Sequence, residues 1–456
     1  MDFAQLTARQ QEYFLSGKTL PLSHRHAVLD ALEQAVRADA DRLCGALRQD
    51  LGKSPTESYM CEVGLALEEI RYLRRHVRRW MAPRRVKASA AQWPAACRVT
   101  ARPKGRVLIM SPWNYPVLLT LEPLAGALAA GCCTVVKPSA YAPATSRVLA
   151  QLLGRVFPSE LVQVVEGGRA ENTALLDEPY DHIFFTGSAQ VGKLVLEKAA
   201  PHLCPVTLEL GGKSPCIVDQ TADLSLAARR IAFGKYLNCG QTCVAPDYVL
   251  CHSAVKEKFL CELKAAIIAQ YGNAPLENPD YGRIVNRRHF DRLAALLTNQ
   301  HIVCGGGLRP DTLQIEPTVL SGVGNDDPVM GQEIFGPILP VLTYDTIEQA
   351  IALVGNRPRP LALYIFTRSR PLAQRVLQSC QFGGGCVNDT VLHLTSSRLP
   401  FGGTGASGMG CYHGRYSFDT FSHQTAVVDK APWPDLAARY QPYTTAKQKL
   451  LHRVMR

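Results

Sequence analysis

The sequence predicts an α/β protein in which a doubly wound parallel sheet is joined to a second α/β unit and to a small bridging element. Three observations carry this. From Gly105 onward short β-rich runs alternate with helical ones, glycine-containing turns recur directly after those runs, and a second alternation extends from about Gly212 to Asn388. A βαβα order implies a parallel sheet covered by helices. At 456 residues the chain is also too long for one small core, and length sets a prior of about two to three domains.

The elements follow in order. From Leu6 to about Met81 apolar residues such as Leu29, Leu32, Val36, Leu43 and Leu47 recur at helical spacing, so the opening is helical, and Pro83 ends it. The stretch Ala88 to Ala101 is weakly patterned, is interrupted by Pro94, and reads as an excursion such as a hairpin. The first alternation pairs a strand at 106–110 with a helix at 118–130, 134–136 with 144–156, 161–165 with 171–176, and 182–185 with 191–199. The second has strands at 248–251, 301–303, 338–342 and 364–366. No internal repeat relates the two halves.

Composition narrows the class. With 46% hydrophobic and 20% charged residues, the chain reads as soluble and globular. Its first residues lack a basic region followed by an apolar one, so no secretory signal is expected. The longest nearly apolar run, Pro123 to Val136, falls short of the ~20 residues of a bilayer span. Fifteen cysteines without a CxxC pair, and twelve histidines without HExxH, point to a reducing cytoplasm and to no metal site. The net charge of +11, concentrated at Arg71, Arg74, Arg75, Arg78, Arg79, Arg84, Arg85 and Lys87, reads as a solvated helix face paired with Glu68, Glu69 or a second subunit. No reader motif or stacking platform accompanies it, so no nucleic-acid partner is expected.

The chemistry-bearing motifs sit at strand ends, where doubly wound sheets bind ligands. Cys243, in Asn238-Cys239-Gly240-Gln241-Thr242-Cys243, is a candidate thiol nucleophile. Asn114 follows the strand at 106–110 and can aim its amide at a developing oxyanion, or serve as a turn residue. Lys137 ends the next strand, suited to a ribose or phosphate or to plain solvation. Gly187-Ser188 opens the helix that reaches Gly192, and its free N–H groups can hold a pyrophosphate or merely close a turn. Glu209, in a β-like run, is either a buried general base or an edge carboxylate facing water. Glu333 and Phe335 can hold a ribose and pack on a flat ring, or cap a helix and fill a core.

Together these motifs resemble the aldehyde dehydrogenase superfamily, specifically its class 3-type branch. The resemblance rests on Pro112-Trp113-Asn114-Tyr115-Pro116, Lys137-Pro138-Ser139, Phe185-Thr186-Gly187-Ser188, Leu208-Glu209-Leu210-Gly211-Gly212, Gly240-Gln241-Thr242-Cys243, Glu333-Ile334-Phe335-Gly336-Pro337 and Pro400-Phe401-Gly402-Gly403. The class 3 character comes from the run Asn238 to Tyr248, Arg359-Pro360-Leu361-Ala362-Leu363-Tyr364 and Gly408-Met409-Gly410-Cys411-Tyr412-His413-Gly414. It implies an NAD(P)-dependent oxidation of aldehydes to acids. Cys243 is the implied nucleophile, Asn114 and the Cys243 backbone N–H the oxyanion donors, and Glu209 the base that activates water against a thioester. Trp113, Lys137, Thr186, Gly187, Ser188, Gly192, Leu210, Glu333 and Phe335 are implied to hold the dinucleotide. Tyr115, Leu237, Cys239, Leu392 and Leu394 are implied to line an apolar aldehyde tunnel that suits medium-chain aliphatic or aromatic aldehydes. Position 140, commonly glutamate in the family, is Ala140 here, which removes a charge that would repel a 2′-phosphate and favours acceptance of NADP. The resemblance further implies a homodimer. The expected domains are 1–82 with 102–210 for the dinucleotide, 211–420 for catalysis, and 83–101 with 421–456 for bridging.

Overall fold

The computed structural model of the chain describes residues 2–455. Its helical opening consists of Phe3–Leu15, Leu22–Ala38, Ala40–Leu51 and Gly64–Met81, with a short helix Pro55–Ser58 and one π-helical turn Tyr59–Val63 before the last. Leu29, Leu32, Val36, Leu43, Leu47, Ile70, Leu73 and Val77 are fully buried, so the helical stripes read from the sequence are the faces these helices present to the core. Helix Leu118–Ala130 is apolar all round and lies beneath them, packed on Leu22–Ala38 and Gly64–Met81.

The first sheet has six strands in the order Gly408–Met409, Val206–Glu209, His182–Thr186, Arg106–Met110, Cys133–Lys137, Val162–Val164. All neighbours are parallel except Gly408–Met409 against Val206–Glu209. The chain starts at the central strand Arg106–Met110, winds outward through Cys133–Lys137, then returns to the centre's other side with His182–Thr186. A topological switch point therefore lies between Arg106–Met110 and His182–Thr186, where the loops leaving the strand ends diverge. Strand Gly408–Met409 enters from the far end of the chain and was not foreseen.

The second sheet has seven strands in the order His301–Cys304, Thr318–Ser321, Ile338–Tyr344, Tyr248–His252, Pro215–Val218, Ala362–Phe366, Gly384–Val387. Only its first pair is antiparallel. Strands Pro215–Val218, Thr318–Ser321 and Gly384–Val387 complete the four expected from sequence. The weakly patterned excursion is a hairpin of Arg84–Val86 and Ala95–Pro103, and the long strand Ser422–Lys430 adds to it as a third, antiparallel member.

One expectation changes in detail. The basic helix finds partners on the neighbouring helix: Arg71 lies 3.2 Å from Glu33, and Arg74 binds Asp30 through both of its carboxylate oxygens. Glu69 is buried and accepts the Gly414 N–H at 2.6 Å instead. Among the described residues no helix is long and apolar enough to cross a membrane.

Candidate active site

Three strand ends of the first sheet converge on the switch point. The loop after Arg106–Met110 carries Trp113, Asn114 and Tyr115; His182–Thr186 runs into Gly187 and Ser188; Val206–Glu209 ends on Glu209, in register with Thr186 on one side and Gly408 on the other. Ser188 caps helix Ala189–Ala199, its Oγ accepting the Val191 N–H at 3.4 Å, so that helix N-terminus opens at the switch point. A Cβ at Gly192 would lie 2.9 Å from Leu210 Cδ2, which is why the helix approaches the strand closely only with glycine there. The Thr186 hydroxyl is buried and has no hydrogen-bond partner among the described residues. Lys137 is buried too: its Nζ donates to the carbonyls of Pro138 at 2.8 Å and Gly167 at 2.7 Å, while desolvation lowers its pKa.

The loop bearing Cys243 arrives from the second sheet. It follows three residues with left-handed backbone, Asn238 at φ 51°, Cys239 at 52° and Gly240 at 72°. Non-glycine residues rarely adopt such angles, and strain of this kind concentrates at functional sites. Side chains from the first sheet's loop hold this turn in place. Asn114 Nδ2 donates to the Gln241 carbonyl at 3.0 Å, and the Tyr115 hydroxyl lies 2.7 Å from Thr242 Oγ1. Asn238 Nδ2 donates back to the Asn114 carbonyl at 2.8 Å. The two residues immediately before Cys243 are thus stitched to Asn114 and Tyr115 across 127 positions of sequence.

Electrostatics at the thiol are unfavourable to charge in this state. Cys243 is half-buried, and desolvation, followed by Glu333 and Glu209, pushes its thiol up to about 12. Glu209 is buried, neither carboxylate oxygen has a partner among the described residues, and desolvation alone raises its pKa well above the usual carboxylate range. It is not an edge carboxylate in water. Glu333 is held up to about 8, first by desolvation and then by Asp247, against the stabilising Gly212 N–H, Lys213 and Lys235. Its carboxylate lies where a Cβ on Gly211 would be, 2.2 Å from Oε2, so it reaches across to the Leu210-Gly211-Gly212 turn rather than capping a helix. Phe335, at φ 51°, meets Trp113 edge to face with ring centres 5.4 Å apart, and His289 lies 5.3 Å from Trp113.

Several residues that matter here were not singled out from sequence. Lys213 Nζ donates to Asp247 Oδ2 at 2.7 Å and to the carbonyls of Val329 and Gln332, while Asp247 Oδ1 accepts the Ile334 N–H at 3.0 Å. That ion pair fixes the turn bearing Glu333, and both of its members lie inside motifs whose glycine and cysteine drew the attention. Tyr412 is fully buried, and desolvation, followed by Glu122, Glu209 and Cys243, raises its pKa. Of the five residues expected to line a tunnel, Tyr115 is buried, Leu237 and Leu394 are half-buried, and Leu392 is 49% exposed. Cys239 is enclosed in the second sheet's core with Tyr281, and burial holds its thiol far above the ordinary range. That places it inside the packing instead of on an open wall.

A half-buried thiol, an amide tied to the residue two before it, a solvent-excluded carboxyl and a helix N-terminus at a switch point belong to one region of the fold. A profile of the aldehyde dehydrogenase family matches residues 2–427. The chain belongs to the aldehyde dehydrogenase family. Its relatives include the 4,4'-diaponeurosporen-aldehyde dehydrogenase of Staphylococcus aureus, 44% identical over 433 residues that cover 94% of each chain. Aldehyde dehydrogenase family 3 member B1 of Bos taurus is 46% identical over 451 residues, 98% of this chain and 96% of that one. A substrate-bound structure of Staphylococcus aureus AldH matches with a TM-score of 0.98 at 42% identity, covering 100% of both chains. The class 3 resemblance and the α/β architecture are thereby confirmed, and this aldehyde dehydrogenase is an NAD(P)-dependent enzyme that oxidises aldehydes to acids.

Proposed function

We propose that the aldehyde dehydrogenase oxidises medium-chain aliphatic or aromatic aldehydes through a thioester on Cys243. The observation that carries this reading is the pair of hydrogen bonds joining Asn114 and Tyr115 to Gln241 and Thr242, the two residues before Cys243. Cys243 gives its proton to water, and its sulfur attacks the aldehyde carbon as the carbonyl π pair moves onto oxygen. The negative charge that develops on oxygen is received by the Asn114 amide and the Cys243 N–H. The Ser188 helix terminus, Trp113, Lys137, Glu333 and Phe335 would hold NAD(P), which would supply a hydride acceptor there. The buried, unpartnered Thr186 hydroxyl and the close-packed Gly192 support that fit. The resulting thioester takes up water, Glu209 accepts a proton from it, and the acid leaves with the Cys243 sulfur regaining a proton.

Ala140 is exposed at the end of the Lys137 strand. Without a carboxylate there, no charge repels a 2′-phosphate, so NADP is accepted at least as readily as NAD. An apolar tunnel discriminates only about tenfold or so per methylene, so a broad substrate range follows. Steady-state formation of reduced cofactor with hexanal, benzaldehyde and glycolaldehyde, each with NAD and NADP, tests both statements. Expected are turnover with both cofactors and higher kcat/KM for hexanal and benzaldehyde. A preference for glycolaldehyde overturns the substrate class, and an NAD advantage of about a hundredfold, roughly 3 kcal/mol, overturns the cofactor reading.

A further inference from the structure

Outside both sheets, a buried ion pair underlies Asn114. Lys53 and Glu62 are each completely buried, and Lys53 Nζ donates to Glu62 Oε1 at 2.5 Å. Such a pair is costly to desolvate and persists only where further hydrogen bonds satisfy both partners. Here they do. Lys53 Nζ also donates to the Asn114 carbonyl at 2.8 Å and stands 3.9 Å above the Tyr115 ring. Glu62 Oε2 accepts the N–H groups of Val117 at 2.8 Å and Leu118 at 3.3 Å, which lie at the start of helix Leu118–Ala130.

The local backbone is built for this reach. Ser54 caps Pro55–Ser58, its Oγ accepting the Glu57 N–H at 3.2 Å, and the chain then makes the π turn Tyr59–Val63 that contains Glu62 before resuming as Gly64–Met81. Single π turns inside helices occur often at functional sites, since the extra residue re-aims side chains. A Cβ at Gly64 would lie 2.8 Å from the Tyr59 carbonyl, so the turn closes tightly there. The same segment holds the other side of the site: Glu57 Oε1 accepts the Asn238 N–H at 2.9 Å, and Asn238 in turn donates to the carbonyls of Asn114 and Gln241. One stretch of ten residues, 53 to 62, thus touches the loop of Asn114 from below and the left-handed turn before Cys243 from the side.

We infer that Lys53 and Glu62 are positioning residues for the reaction: they set the Asn114 peptide, and with it the oxyanion-binding amide, at its working distance from Cys243. Neither touches the reacting atoms. The Asn114 carbonyl has two donors, Lys53 and Asn238, and its side chain has a third tether at Gln241, so its orientation is determined from three directions. Removing the Lys53 donor frees the peptide to rotate about the remaining two. Misplacement by about 1 Å in such a site costs on the order of a hundredfold in rate.

This inference rests on the reading of Asn114 as the oxyanion donor, and a mutant cycle on the full-length enzyme separates the two. Wild type, Lys53→Gln, Asn114→Ala and the double variant are compared for kcat, for KM of aldehyde and cofactor, and for the pre-steady-state burst of reduced cofactor. Expected are a kcat loss of about tenfold to a hundredfold for Lys53→Gln with cofactor KM unchanged, and a slowed burst. Asn114→Ala loses more, and Lys53→Gln adds no further loss in that background. Glu62→Gln keeps the shape of the site and lowers kcat in the same direction, and it serves in place of Lys53→Gln should that variant fail to fold. Full kcat in a folded Lys53→Gln protein overturns the inference, as does the same factor of loss in both backgrounds, an outcome that leaves the oxyanion reading standing. An Asn114→Ala variant with unchanged kcat overturns the oxyanion reading and this inference with it.

Discussion

Glu209 is a carboxyl that no hydrogen bond reaches among the described residues, 2% exposed, at the end of a strand. Its raised pKa has two separate consequences. In catalysis, the neutral acid must first release its proton, so the hydrolytic half-reaction accelerates as pH rises toward the carboxyl's raised pKa. Glu209→Gln removes the base, and the expected result is a burst of one equivalent of reduced cofactor followed by turnover slowed about a hundredfold or more. An unchanged steady state would refute the assignment. In stability, the folded protein keeps a proton that the unfolded chain releases above the ordinary value of 4.5, so stability falls as pH rises from there through the folded pKa. Glu333, held near 8, and Glu69, held near 7, act in the same sense. Thermal melts of Glu209→Gln should therefore match wild type below pH 4.5 and exceed it increasingly as pH rises above that value. A variant that melts below wild type throughout would show that the carboxyl is needed for folding.

At the scale of elements, the turn Leu237–Gly240 places the nucleophile more than any strand does. A Cβ on Gly240 would lie 2.2 Å from the Gly336 carbonyl, and its φ of 72° disfavours other residues. Gly240→Ala is expected to destabilise by about 2 to 4 kcal/mol, from the left-handed backbone and the overpacking together, and to displace Cys243. Chemical denaturation with active-site thiol titration checks both, and wild-type stability and labelling would refute the argument. The strands at 106–110, 182–186 and 338–344 were legible because runs such as Arg106–Met110 are short, apolar and bounded by glycine or proline. Gly384–Val387 was not, since Gly384-Gly385-Cys386 has little strand propensity and forms only against Ala362–Phe366. Ser422–Lys430 hides for a related reason: its His423, Gln424 and Asp429 are exposed and give no apolar alternation, and antiparallel pairing with Ala95–Pro103 supplies its order. In the site, Cys243, Glu209 and Asn114 were readable by motif. Lys53 and Glu62 were not, because an ion pair under a loop 61 residues away leaves no local pattern.

For the whole molecule, the three-stranded sheet of Arg84–Val86, Ala95–Pro103 and Ser422–Lys430 has two unpaired outer strands, with Val86 and Val428 40% and 47% exposed. Open edges of this kind pair with another chain unless they are blocked. We expect a homodimer bridged through this sheet, with light scattering after gel filtration giving twice the chain mass. A stable monomer at micromolar concentration would contradict it. The register of Gly408 with Glu209 has a further meaning for how the enzyme comes into being. Groups at the site run from Lys53 to Tyr412, and strand Gly408–Met409 of the first sheet closes on Glu209 only after residues 408 and 409 have been made. On the ribosome the thiol of Cys243 therefore emerges before its surroundings exist, and a chain released early carries that cysteine without the neighbours that tame it.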